Sequence, residues 1–432
     1  MNAHRCLSYA WFSVLFLYGF SAVADDRDTL FLEALEARGL SAIPIIEVFD
    51  YAGDAHLWAE DPVAAAKHAE NSGKKLILKG YEFTYKDGST HEQGPGFVMQ
   101  HGWTSNVAEF VHYIDKALAD GYRPHAFNWP GHGWGPEVRG TGAEGDPIIG
   151  NRSYIEGYES GDLRPDFVNP EAAMRIDEIM ATRTGLYFSL GHSMGAMFTS
   201  AAEGLGLMKH LIRPALLGGP PHFDHSWKNK LFGKVFNAVV NSGFYPEWVG
   251  KIKGPRQILS EFMGADAAVP GELKLSRLRY ALFREAVMAN PMALGFSVHH
   301  RDTHDFFSEA MARDYRYKEL PLTRPALFIK GSEEQVTGIV RDAPVRGSRA
   351  GYQILIIDGV DHLGEVSEKA VKASWPVIHR FFQNFDPEHE SSLVIHVDPD
   401  AKLEHRRLNR FETARAKSVP EMLGQGCMLS VF

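Results

Sequence analysis

Cysteine is nearly absent: two residues in 432, Cys6 and Cys427, at opposite ends of the chain. That leaves no disulfide framework and no cysteine-based metal site. Positive charge is also in deficit. Forty-five Lys and Arg face 54 Asp and Glu, a net charge of −9. No basic stripe with interleaved aromatics occurs, which argues against a nucleic-acid partner. Internal repeats and low-complexity linkers are missing. Long apolar runs are missing too, apart from Leu7 to Phe20, which is short for a membrane span of about 20 residues. At 44% hydrophobic residues the chain is nevertheless too apolar to stay disordered. A large globular α/β chain, with one domain plus an insertion or with two domains, fits these limits.

The first residues, MNAHRCLSYAWFSVLFLYGFSAVADD, combine a basic start at Arg5, an apolar stretch and the small-x-small pattern Ala22-Val23-Ala24. This pattern predicts a cleaved secretory signal over 1–24, the alternative being a retained anchor. The expected location is secreted or periplasmic. An N-terminal extension over 25–73 follows and includes the helix-like DTLFLEALEARGL. From Lys74, short apolar runs with strand character alternate with helical spacing. KKLILKGYEFTY, PGFVMQ, RPHAF, LYFSL, RPALL, RPALFIK and YQILII read as strands. Such alternation predicts a mostly parallel sheet covered by helices on both faces. The core is expected in two parts, 74–218 and 321–386. Between them 219–320 carries helical patterning without a parallel strand and reads as a helical cap. The segment 387–432, with SSLVIHVDPD and a charged run, is a tail of no assigned role.

Ser193 lies in Gly191-His192-Ser193-Met194-Gly195, which fits G-x-S-x-G between a strand and a small-residue helix. In that setting a serine can be held in a strained turn, its hydroxyl clear of the sheet, with the helix amide end aimed at a reacting carbonyl. A nucleophile needs a base and a residue to orient it. His362, in GVDH after the YQILII strand, is placed to reach back over the sheet edge. The orienting acid should precede it on the loop after RPALFIK, where Glu333 and Glu334 are adjacent. Glu334 is favoured because it stands three residues past Gly331 and two before Val336. Asp342 and Asp224 are outside candidates, and Asp361 is too close to His362 in the chain. The amides of Met194 and Trp103 are the expected oxyanion donors. Trp103 follows His101-Gly102, where the missing side chain of Gly102 lets the backbone approach.

HGW at 101–103, PGHG at 130–133, GHSMG at 191–195, GSEEQV at 331–336 and GVDH at 359–362 together resemble the α/β-hydrolase fold. They are similar to its branch of lysophospholipases, monoacylglycerol lipases and serine aminopeptidases, over about Lys74 to Gln383. The resemblance implies a Ser193–Glu334–His362 triad, oxyanion amides of Trp103 and Met194, a cap after the sixth core strand, and no cofactor. The chain departs from the pattern at Asn128, where relatives often have Asp. It also departs at Trp134-Gly135 after GHG, at Ala196 in place of a second glycine, and in using Glu as the acid.

The expected partner is a small-molecule or lipid ester, with peripheral contact to membrane lipid. Substrate-binding positions are expected at His101, Gly102, Phe232 and Phe236. The two phenylalanines lie on an apolar stripe of the cap with Leu231, Val235, Val239 and Val240, a stripe that could equally pack on the core. Two other readings stay open. One is a serine aminopeptidase for small peptides. The other is a metal-binding protein using the cap residues His299, His300, Asp302, His304 and Asp305, with His300 and His304 at the i, i+4 spacing of a helical metal pair.

Overall fold

The computed structural model describes residues 27–51, 73–102, 105–130, 132–133, 151–155, 170–218, 322–332, 350–360, 364–391 and 393–399. The signal segment, the expected cap, Trp103, Glu333, Glu334, Asp361 and His362 lie outside the described residues.

Among the described residues one ten-stranded sheet organises the fold, in the order β1-β2-β4-β3-β6-β7-β8-β9-β10, with β5 paired to β2. The strands are β1 (Leu40–Tyr51), β2 (Lys74–Tyr85), β3 (Gly96–Gln100), β4 (Arg123–Phe127), β5 (Tyr154–Ile155), β6 (Tyr187–His192), β7 (Leu211–Leu217), β8 (Ala326–Gly331), β9 (Tyr352–Ile357) and β10 (Leu393–Val397). From β4 through β10 along the sheet every pairing is parallel. At the other end β2 runs antiparallel to both β4 and β1. The expected architecture, a mostly parallel sheet flanked by helices, is the observed one.

The parallel strands are short and apolar because both of their faces are covered. Side chains alternate across the sheet. Phe97 and Met99 face one core and Val98 the other. Helices α1 (Arg27–Glu36), α2 (Val111–Ala119) and α5 (Glu368–Asn384) cover the first face. There Phe97, Tyr122, Trp375 and Phe382 form an aromatic cluster with ring centroids about 6 Å apart. Helices α3 (Pro170–Arg183) and α4 (Met194–Gly204) cover the second face. A short helix, α6 (Pro387–Glu390), leads into β10. Among the described residues no helix is long and apolar enough to cross a membrane.

The sheet extends past both ends of the expected core. β1, from the N-terminal extension, pairs along its whole length with β2, from Leu40 opposite Tyr85 to Tyr51 opposite Lys74. β10, from the tail, adds a parallel strand beside β9. Both are edge strands. An edge strand is covered on fewer sides and so carries a weaker apolar pattern. It also tolerates proline, as β1 does at Pro44.

Candidate active site

Neighbours β3 and β6 leave the sheet at a switch point. From β3 the chain passes to β4 on one side and, after β5, to β6 on the other. In open α/β sheets the crevice beyond the carboxyl ends of such strands is where ligands bind. The His101-Gly102 turn follows β3 and Ser193 follows β6, so the two expected halves of the site meet there. An ideal Cβ on Gly102 would lie 3.2 Å from Cβ of Ser193.

Ser193 has φ of 51°, and among the described residues no other non-glycine has positive φ. A side chain in this region costs about 1–3 kcal/mol and persists only where its surroundings enforce it. The enforcement is visible. The Ser193 amide donates to the Leu217 carbonyl at 2.8 Å, fastening the turn to the end of β7. A Cβ on Gly191 would fall 2.6 Å from the Ala196 nitrogen, and one on Gly195 would overlap the Gln100 carbonyl. The turn can therefore be this tight only with glycine at both places. Ser193 itself is half-buried and reachable. Met194 opens α4, so its amide belongs to the first turn, whose N–H groups have no partner within the helix.

His101 is fully buried. Its Nδ1–H donates to the Gly102 carbonyl at 2.7 Å, and its Nε2 accepts from the Trp129 amide at 3.1 Å. The Trp129 indole returns a bond to the His101 carbonyl, also at 3.1 Å. Burial holds the His101 imidazole down to about 4, against the pull of Glu109. These are the contacts of a neutral histidine that locks the turn to the end of β4, rather than of one that meets a substrate.

The loops expected to hold the acid and the base begin at the same edge of the sheet. Ser332 joins them: its amide donates to the Ile357 carbonyl, and its hydroxyl accepts from the Gly359 amide, both at 2.9 Å. Strands are about 4.8 Å apart, which sets β8 about 10 Å and β9 about 14 Å from β6. Five residues from Ile357 to His362 reach up to about 17 Å, and three from Gly331 to Glu334 about 10 Å before the side chain is added. The chain is long enough at both places. Phe232 and Phe236 belong to the cap and lie outside the described residues.

Three ionisable groups at this edge add to the residues expected from the sequence: Glu109, His192 and Glu365. Each is almost wholly buried. Glu109 pairs through Oε1 with His192 Nδ1, and its Oε2 accepts from the Gly102 amide at 3.0 Å. Burial by itself would raise the Glu109 carboxyl. The charge and hydrogen bond of His192, aided by His101 and the Gly102 amide, outweigh it and bring the value down to about 2. The sequence held one signal: Glu109 interrupts the apolar run from Val107 to Ile114.

Asn128, a departure from the resemblance, is also explained. Its Oδ1 accepts from the Val107 amide at 3.0 Å and its Nδ2 donates to the Asn151 carbonyl at 2.8 Å. Aspartate cannot donate the second bond. Asn128→Asp is expected to cost about 1–3 kcal/mol in urea unfolding near neutral pH, because two acceptors would then face each other in the interior. The deficit should shrink as pH falls, since a protonated carboxyl can donate. An undiminished midpoint at neutral pH would contradict this assignment.

Residues 97–373 match a family described as the Alpha/beta hydrolase family. No curated protein matches the chain. Among solved structures, similar ones include a membrane phospholipase A described as a novel bacterial virulence factor. It has 16% identity and a TM-score of 0.46, and 88% of this chain and 99% of that one are covered. Epoxide hydrolase I of potato (Solanum tuberosum) has 13% identity and a TM-score of 0.47, covering 79% and 100%. A crystal structure from work on carboxylesterases of the thaumarchaeon Nitrososphaera gargenis has 13% identity and a TM-score of 0.41, covering 71% and 94%.

Proposed function

This chain belongs to the alpha/beta hydrolase family, and from that premise we propose that it is a serine hydrolase cleaving carboxylic esters through an acyl-enzyme on Ser193. The substrates we favour are lipid-like, a lysophospholipid or a monoacylglycerol. The observation that carries the reading is the backbone of Ser193, a positive-φ serine at a strand-to-helix junction, pinned beside the His101-Gly102 turn. Nothing in the packing of a plain turn calls for that strain at a serine.

In the proposed reaction His362 takes the hydroxyl proton as Ser193 Oγ attacks the ester carbonyl. The tetrahedral oxyanion is held by the amides of Met194 and Trp103. Collapse expels the alcohol, which takes its proton from His362. Water then attacks the acyl-enzyme by the same route and releases the carboxylic acid. Glu334 holds the imidazole in orientation. The scheme calls for no cofactor. We place the enzyme beyond the inner membrane, secreted or periplasmic, in peripheral contact with lipid.

The cap is proposed to select the acyl chain, with Phe232 and Phe236 on its apolar stripe. Each enclosed methylene contributes about 0.8 kcal/mol, so four added carbons raise kcat/KM by up to about two orders of magnitude. The test is a panel of p-nitrophenyl esters from acetyl upward, with lysophospholipids and aminoacyl amides alongside. We expect a preference that rises with chain length, and Phe232→Ala or Phe236→Ala should flatten the rise while leaving acetyl ester turnover nearly unchanged. A parent that prefers acetyl esters, or that cleaves aminoacyl amides best, would overturn the lipid reading.

A further inference from the structure

We propose that Glu109 and Glu365 grip the His192 imidazole from its two sides and act as positioning residues, holding the oxyanion turn, the nucleophile turn and the acid loop in one fixed relation. The proposal rests on the serine-hydrolase reading above and adds residues to it. Glu109 sits in the 3-10 turn Val107–Phe110, ahead of α2, and Glu365 in the 3-10 turn Gly364–Val366, just past His362. His192 Nδ1 bonds to Glu109, and His192 Nε2 lies 3.8 Å from Glu365 Oε2. The far oxygen of each carboxylate then takes a backbone amide. Glu109 accepts from Gly102 at 3.0 Å and Glu365 from Gly331 at 2.6 Å.

The backbone positions reached in this way are informative. Gly102 immediately precedes Trp103, and His192 lies two residues before Met194. Trp103 and Met194 are the two expected oxyanion donors, so the Glu109–His192 pair ties together the backbone beside both. Gly331 ends β8 and starts the loop of Glu334, while Glu365 ends the loop of His362. A single imidazole therefore links the carboxyl ends of β3, β6 and β8 with the turn beyond β9. All three side chains are withdrawn from water, with His192 1%, Glu109 7% and Glu365 0% exposed. Buried carboxyl groups are costly unless hydrogen-bonded, paired or neutralised. The imidazole is hydrogen-bonded to Glu109 through Nδ1 and stands 3.8 Å from Glu365 Oε2 through Nε2, a contact longer than a hydrogen bond. That arrangement is costly to build for stability alone, yet it is stiff.

The test compares Glu109→Gln and Glu365→Gln with Asp177→Asn. Asp177 is a buried acid at the opposite edge, taking bonds from Tyr187 Oη at 2.8 Å and from the His210 amide at 3.0 Å. Two quantities are read on soluble protein: kcat and KM for a short-chain p-nitrophenyl ester, and the rate at which a fluorophosphonate labels Ser193. We expect Glu109→Gln to lose about 10²-fold in kcat and in labelling rate with KM nearly unchanged, as a misplacement near 1 Å would produce. Glu365→Gln should lose in the same sense. Asp177→Asn should lower Tm and leave kcat alone. If Glu109→Gln does not fold, Glu365→Gln decides, because it touches the same imidazole from the other side. Variants that label at the parent rate while Tm falls as in Asp177→Asn would overturn the positioning role alone. A parent not labelled at Ser193 would remove the hydrolase reading and the positioning role together.

Discussion

Ser193→Ala is expected to lower ester turnover by at least about a thousandfold while the protein stays folded. The size of the loss follows from what is deleted. Alanine removes Oγ, and with it the acyl-enzyme route, leaving only the oxyanion amides and substrate binding to favour direct attack by water. The structure explains why folding should survive. The bond that holds the turn runs from the Ser193 backbone amide to the Leu217 carbonyl, and alanine keeps it. The strain of positive φ is shared by both residues, since both carry a Cβ. A fluorophosphonate should label the parent at Ser193 and leave the alanine variant unlabelled. Circular dichroism and Tm close to the parent's would complete the result, and labelling at a different serine would remove the elbow assignment.

Glu334→Gln is expected to reduce kcat by about two to four orders of magnitude, because the imidazole of His362 loses the partner that sets its tautomer and steadies its positive form. Glu333→Gln should have a much smaller effect. The difference between neighbours tests the register of a loop whose start is well defined. The Gly331 amide is bound by Glu365, and Ser332 is bonded to both Ile357 and Gly359. A loop leaving such an anchor directs successive side chains differently, so one of the two acids should face the base and its neighbour should not. Steady-state kinetics on both variants separates them. If the order is reversed, the acid is Glu333. If neither matters, Asp342 and Asp224 become the candidates.

The inner strands were legible because their signal is local. Runs such as FVM and ALFI are continuous in apolar character, as burial on both faces requires, and LYFSL is nearly so; each marks a strand of the structure, β6 starting at Tyr187 just after an exposed Leu186. The two edges carry a weaker local signal for the converse reason. β1 carries Pro44 and alternates with exposed positions, and β10 is five residues inside a polar tail. α3 does carry a local signal, with Pro170 at its start and Ala172, Ala173, Ile176, Ile179 and Met180 at helical spacing.

What the sequence determined by itself is the chemistry's most local part: a serine between two glycines, with a strand before it and a helix after it. A strained turn at Ser193 was the expectation there, and its φ of 51° is what the structure adds. Tertiary structure alone decided the rest. Glu109 and His192 are 83 residues apart, and no periodicity or spacing connects them. They meet because β3 and β6 are neighbours, and Glu109 keeps its carboxylate in the interior because His192 and the Gly102 amide bond to it there. His101 shows the same division. Its place after a strand suggested a residue facing substrate, yet the amide of Trp129, just past β4, donates to its Nε2 and the Gly102 carbonyl accepts its Nδ1–H. Local pattern tells which residues can do chemistry. Which of them face a ligand and which hold the others in place depends on desolvation and pairing, and those are set only when distant segments are packed together.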